Sequence, residues 1–272
     1  MVRTNQGYAD AVMSTFRGLS GYDLARESKS LYASAADHLA QPMGHPEFAD
    51  LTVGQSGHCD AVAMFVDLHD FTGRTFWDSP RETVNLSRAV LTQVVEVVCE
   101  FGGHVLGLRG DGVFVCFGGP GAQDDGVQAM LALSAGAFAL DATQNALNEL
   151  LGMQGVRPVQ MRVGADFGRL DFVRTGTDDA SEVNVIGFAA NFAAKCEKYA
   201  NSWEMVVGEG LAKLLPNQDL FTPHEESPKT YQRDYQVRHY AFFDTAWRTW
   251  LPHLAGVREV LGGTPSNLVE RA

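Results

Sequence analysis

Cysteine is scarce and scattered in this chain. Cys59, Cys99, Cys116 and Cys196 are its four cysteines and no two form a CxxC pair, so neither a zinc site nor a disulfide framework is signalled and a reducing compartment fits. Positive charge is in deficit: 21 Lys and Arg stand against 33 Asp and Glu, a formal charge of −12. The chain as a whole therefore lacks the field of a nucleic-acid or membrane binder, and an anionic substrate is expected to bring its own cation. A run of about 18 apolar residues is missing, as is a basic N-terminal segment leading into an apolar stretch, which argues for a soluble, cytoplasmic protein. The glycine runs at 102–103 and 118–121 lack the Lys-Ser/Thr of a P-loop and read as turns. No internal repeat or low-complexity tract occurs.

What is present is a core and an alternation of elements. With 272 residues and 45% hydrophobic content, the chain can bury a substantial interior. Residues 8–40 read as two short amphipathic helices, and Gln41 to Gly57, rich in proline and glycine, as a connection. "AVAMFVDLHDFT" at 61–72 is an apolar strand running into Asp67 and Asp70. Ser79-Pro80-Arg81-Glu82 gives a cap, a proline at the first helical position and an acid in the first turn, ahead of Val84, Leu86, Val90, Leu91, Val94, Val95 and Val98. That helix should stop at Gly102-Gly103. "HVLGLRGDGVFVCF" then reads as a hairpin with Asp111 at its tip. A helix at 124–151, a strand at 158–167, a polar loop from Arg174 to Val183, a small-residue helix in "NVIGFAANFAAKCEKYA", a strand at "WEMVVG" and a last strand at "RHYAFFD" complete the pattern, with a short helix and tail after 245. Strand, helix, hairpin, helix, strand is the α/β plan of a mixed sheet covered by helices.

Two groups of residues carry chemistry. Asp67 ends one strand and Asp111 sits at the tip of the hairpin expected beside it. Two carboxylates converging there share a divalent cation more readily than they tolerate each other's bare charge, and magnesium with a triphosphate needs no protein-only cage. The alternative is that Asp67 caps a turn and Asp111 forms one. Asn191 and Lys195, four apart on a helix, share a face that could hold phosphoryl oxygens in a transition state. Alternatively, Lys195 is a solvated surface cation.

In order and separation, "FVDLHDFT", "GGHVLGLRGDGVFVCF", "MRVGADFG" and "NVIGFAANFAAK" resemble the catalytic domain of the class III nucleotidyl cyclases over roughly residues 58–245. The resemblance implies a ferredoxin-like α/β (α+β) domain at 56–245, after a helical extension at 1–55 and before a helix and tail at 246–272. It also implies a wrapped, head-to-tail homodimer with two sites at its interface. Asp67 and Asp111 would be the carboxylates for two Mg²⁺ or Mn²⁺ ions, with the Leu68 carbonyl and the backbone at His69, Asp70, Phe71 and Thr72 near the phosphates. Arg162 falls where the family binds phosphate, Asn191 where it has its transition-state Asn, and Arg238, in the last strand, where it has a phosphate-contacting Lys. Lys195 takes the place of the transition-state Arg, which keeps the charge and loses the bidentate fork.

Two positions depart from the purine-specific members. The adenine-reading Lys and Asp are replaced by Gly107 and Asn184, and no guanine-reading Glu/Cys pair is present. The chain thus resembles the pyrimidine cyclases of the Pycsar anti-phage systems, which implies a stand-alone synthase of cyclic UMP or cyclic CMP serving a separate effector. Asn184 can face O4 and N3 of uracil or, with its amide flipped, N4 and N3 of cytosine; the resemblance favours UTP. An adenylate cyclase with a relaxed pocket, a catalytically inactive nucleotide-binding module, and a two-metal polymerase or cyclic-dinucleotide synthase remain the other readings.

Overall fold

The computed structural model describes residues 4–20, 43–122, 124–254 and 256–257. The second N-terminal helix and the C-terminal tail expected from the sequence lie outside the described residues. Helix α1 spans Asn5–Ser20. Its buried face, Tyr8, Ala9, Val12, Met13 and Phe16, has the spacing of an amphipathic helix and joins the main core. Tyr8 bonds Thr143 at 3.0 Å and meets the Phe138 ring edge-on.

Strand β1, Ser56–His69, lies at the centre of the sheet. Its alternation splits two cores: Val62, Met64, Val66 and Leu68 face one side, and Cys59, Ala61 and Ala63 the other. After a turn at Asp70 come α2 (Phe71–Trp77) and α3 (Pro80–Glu100). Pro80 occupies the first turn of α3, and Glu82 is acidic there as expected; Ser79 makes no side-chain cap bond and instead accepts from the Thr83 amide through its carbonyl at 2.9 Å. Gly102, in left-handed backbone at φ 80°, ends the helix. Strands β2 (His104–Arg109) and β3 (Gly112–Gly118) form the expected hairpin.

Helix α4 (Asp125–Asp141) continues through π-helical turns at Ala142–Leu147 into α5 (Asn148–Met153). This helical run is long and apolar enough to cross a membrane, but most of its most apolar stretch is buried inside the fold. Strand β4 (Gln160–Thr177) pairs with the whole length of β1, from Ser56 opposite Val173 to His69 opposite Gln160. The expected polar loop at 174–183 is instead the far end of β4, a turn, and the start of β5 (Ala180–Ile186). Most of its side chains are polar and exposed, and Val183 is its one apolar residue packed against a core, so no apolar alternation marks it.

Helix α6 spans Phe188–Tyr199, so Asn184, Val185 and Ile186 are strand residues, not helical ones. Strand β6 (Met205–Gly208) runs parallel to β4, followed by the short α7 (Glu209–Ala212) and β7 (Phe221–Pro223). The expected single last strand is two. Strand β9 (Gln236–Tyr240) pairs with β8 (Lys229–Arg233) in a separate two-stranded ribbon, and only β10 (Phe242–Thr245) enters the main sheet. Arg238 is therefore on the ribbon and not on the last strand of the sheet. The sheet order is β2-β3-β1-β4-β6-β10-β7, with β5 beside the far half of β4. Helices α1, α3 and α4 cover one face, and α6 covers the other.

Candidate active site

Strand register brings the two aspartates together. Asp67 is opposite Gly112, the residue after Asp111, and the Leu68 amide donates to the Asp111 carbonyl at 3.1 Å. A side chain at position 112 would crowd Asp67, since a Cβ there would stand 3.1 Å from Asp67 Oδ1. Burial, and next the Asp67 charge, raise the Asp111 carboxyl above its usual range; nearby Arg162 acts in the opposite direction.

Arg162, opposite Asp67 across the β1–β4 ladder, turns its guanidinium onto that carboxylate. Its Nε and Nη2 donate to Asp67 Oδ2 at 3.1 and 2.9 Å. The same Nη2 is 2.6 Å from Glu197 Oε1, and Nη1 donates to the Ala200 carbonyl at 3.4 Å. Glu197 is the member of this cluster that the sequence reading missed. It reaches the cluster because α6 packs almost backbone-to-backbone on β4: a Cβ on Gly164 would be 1.9 Å from the Glu197 nitrogen, so glycine is required for the approach. The neighbouring contacts are made by Ala189, Ala190 and Ala193. Burial, followed by the Asp67 charge, pushes the Glu197 carboxyl up, and Arg162 opposes this. An acid set among alanines on a buried helical face was the available signal.

The backbone after β1 turns at Asp70, which is left-handed at φ 56°. Phe71 is buried in the core, so its side chain is not part of an open site. Thr72 is exposed and its carbonyl accepts from Thr75 Oγ1 at 2.7 Å. The His69 ring bonds Ser202 Oγ at 2.7 Å.

Asn191 and Lys195 lie elsewhere. They share one face of α6, whereas Glu197, two residues beyond Lys195, points to another. Asn191 is exposed. Lys195 Nζ donates to Tyr231 Oη at 3.0 Å and stands 4.9 Å from the centre of that ring. Tyr231, on β8, is opposite Arg238 on β9, and cross-strand partners project to the same side of a ribbon. Arg238, exposed, thus lies on the same side of the ribbon as Tyr231, a residue whose polar surroundings in "KTYQR" gave no reason to select it from the sequence. Asn184 bonds Thr175 across the β4–β5 ribbon. Gly107 sits at an irregularity in the β2–β3 pairing, and a Cβ there would be 3.7 Å from Arg109 Nε.

One chain therefore displays two partial sites. The first gathers Asp67, Asp111, Arg162 and Glu197 at the end of β1; the second gathers Asn191, Lys195, Tyr231 and Arg238 along α6 and the ribbon. The donor set of the first fits a hard divalent cation, because its ligating atoms are carboxylate oxygens beside the Leu68 backbone. Among the described residues no group of three or more His, Cys, Asp and Glu is arranged to hold a metal.

No family model matches the chain. Among curated proteins it is similar to the cytidylate cyclase of Staphylococcus aureus, at 22% identity over 197 residues, covering 71% of this chain and 46% of that protein. It is also similar to the uridylate cyclase of a Rhizobium species, at 28% identity over 189 residues, covering 65% of this chain and 35% of that one. The chain spans less than half the length of either curated relative. Among solved structures, the adenylyl cyclase CyaB from P. aeruginosa superposes with a TM-score of 0.61 at 20% identity, over 71% of this chain and 96% of that one. With its mixed sheet, its hairpin-borne aspartate and its small-residue helix, this chain has the fold of the class III nucleotidyl cyclases, and the curated proteins it resembles in sequence are pyrimidine cyclases.

Proposed function

We propose that this chain is a metal-dependent nucleotidyl cyclase that converts a pyrimidine nucleoside triphosphate, UTP in preference, into its 3′,5′-cyclic monophosphate and pyrophosphate. The observation that carries the proposal is the convergence of Asp67 and Asp111 at adjacent strand ends, in a fold shared with cyclases. Gly107 and Asn184, standing where purine-reading side chains are expected, and the cytidylate and uridylate cyclase relatives support the choice of base.

In this reading Asp67, Asp111 and the Leu68 carbonyl hold two Mg²⁺ or Mn²⁺ ions, with the backbone from His69 to Thr72 beside the phosphates. Such ions, when bound, supply Lewis acidity at the ribose 3′-hydroxyl and neutralise triphosphate charge. The protein's own part is to fold the nucleotide so that the 3′-oxygen attacks the α-phosphorus in line with departing pyrophosphate. Arg162 and Arg238 bind the leaving pyrophosphate. For Arg162 this means leaving Asp67, with Glu197 as the contact it retains. Asn191 and Lys195 donate to the phosphoryl oxygens as charge builds on them. Asn184 faces the base.

The separation of the two partial sites within one chain supports a homodimer in which each active site takes Asp67 and Asp111 from one protomer and Asn191 and Lys195 from its partner. The proposal places catalysis in residues 56–245, between an N-terminal extension at 1–55, whose α1 shares the core, and a C-terminal segment at 246–272. A cytoplasmic setting, an anti-phage role and a separate effector activated by the cyclic nucleotide belong to the same reading, with neither nucleic acid nor membrane as partner.

The test is incubation of purified protein with all four nucleoside triphosphates in competition, with Mg²⁺ or Mn²⁺, and mass analysis of the products. Cyclic UMP with pyrophosphate is the expected outcome. ATP as the best substrate would remove the pyrimidine assignment, and no cyclic product from any of the four would remove the cyclase assignment.

A further inference from the structure

Lys195 has a companion that the cyclase reading does not use. Lys195 Nζ donates to Tyr231 Oη at 3.0 Å, so the phenol oxygen acts as acceptor and keeps its own proton to give. Among the described residues nothing accepts that proton. The ring is held in place: Phe188 packs against it in a T-shaped pair with ring centres 5.7 Å apart, and Phe188 and Phe192 in turn pack on Tyr240 with centres 4.7 and 4.6 Å away. Tyr240 Oη donates to buried Asp166 at 2.9 Å and accepts from the Gly210 amide at 3.0 Å, which ties the ribbon to β4 and α7. An isolated two-stranded ribbon is marginal in water; these aromatic and polar contacts fix this one against α6, with Tyr231 beside Lys195.

A single ammonium offers no planar fork to two oxygens of one phosphoryl group, whereas a guanidinium does. We propose that Tyr231 is a catalytic residue: its O–H and a Lys195 N–H, from donor atoms 3.0 Å apart, bind two oxygens of the phosphoryl group in the transition state, and together do what one arginine would do. The inference rests on the cyclase reading above and adds a second donor to it. Neither group gives up its proton; both act as hydrogen-bond donors to charge that develops during the reaction.

The experiment compares kcat and KM for the wild type, Tyr231→Phe, and Tyr231→Phe combined with Lys195→Arg, with thermal melting as the check on folding. Phenylalanine keeps the ring that Phe188 and Lys195 pack on and removes only the hydroxyl. For Tyr231→Phe the expected result is a fall in kcat on the order of 10²-fold with little change in KM, as for other lost transition-state donors. Arginine at 195 supplies its own second donor, so the double variant should recover most of the lost kcat. An active wild type with an unimpaired Tyr231→Phe overturns this assignment and leaves the cyclase reading standing. A fall that arginine does not repair also overturns it, because the hydroxyl is then not the missing prong. A wild type that cyclises none of the four triphosphates overturns the cyclase reading, and this assignment with it.

Discussion

Two faces of helix α6 have different surroundings. Toward its C-terminus, Glu197 is buried, packed backbone-close on β4 through Gly164, and locked with Arg162 onto Asp67. Toward its N-terminus and middle, Asn191 is exposed and Lys195 is half-buried, facing a ribbon outside the main sheet. The first cluster is over-determined: ladder register, a hairpin tip and an ion-pair network fix it within one chain. In the second, neither Lys195 nor Arg238 forms an ion pair among the described residues. This contrast between two faces of one helix is what the proposed shared site of a homodimer rests on.

If the acidic cluster is where metal binds, its loss should abolish function without unfolding the chain. Asp67→Asn and Asp111→Asn should each remove nearly all cyclase activity, because each deletes a charged oxygen ligand at almost constant volume. Rates at saturating Mn²⁺, with melting curves beside them, check this, and substantial activity in either variant would separate Asp67 and Asp111 from the metal. The cationic face should be less absolute. Lys195→Ala should lower kcat on the order of 10²-fold with a much smaller rise in KM, as for a donor aimed at the transition state. An unchanged kcat would make Lys195 a surface cation and remove the contrast between the two faces.

The smallest expected effect concerns the support beneath the ribbon. Burial pushes the Asp166 carboxyl up to about 7, against hydrogen bonds from Tyr240 and from the Phe167 and Leu211 amides. The folded state therefore binds more protons than the unfolded state between an ordinary aspartate range and about 7. Stability contributed by this group is greatest at low pH and falls as pH rises through that window, by an amount of the order of a few kcal/mol. Asp166→Asn should flatten that dependence, measured as denaturant midpoints from pH 5 to 8. A slope equal to that of the wild type would show that Asp166 is not the group responsible.

The sheet and its helices were legible in the sequence wherever burial imposed a period. The continuous apolar run at 61–66, the proline-started α3 and the Gly-Asp turn of the hairpin each follow from local rules. Where elements touch the cores through only a few partly buried side chains, the pattern failed. Residues 174–183 are polar on a ribbon, and 236–240 belong to a second ribbon whose break at Ala241 leaves no trace in an apolar run. The site divided in the same way. Asp67 and Asp111 could be paired because a strand end and a hairpin tip have predictable neighbours. Glu197 and Tyr231 could not, because each depends on how α6 is rolled on β4 and against the ribbon, which is tertiary packing that sequence spacing does not specify.

The central claim is that an active site is complete only across two protomers. Asp111→Ala and Asn191→Ala chains, given different tags and co-expressed, yield a mixed dimer that can be purified through both tags. In that dimer one site joins the intact carboxylates of the Asn191→Ala chain to the intact Asn191 of its partner, and the other site carries both lesions. Each variant alone should be inactive, and the mixed dimer should reach about half of wild-type activity if its two sites act independently. A mixed dimer as inactive as either parent would contradict the shared site, and so would either variant being active alone.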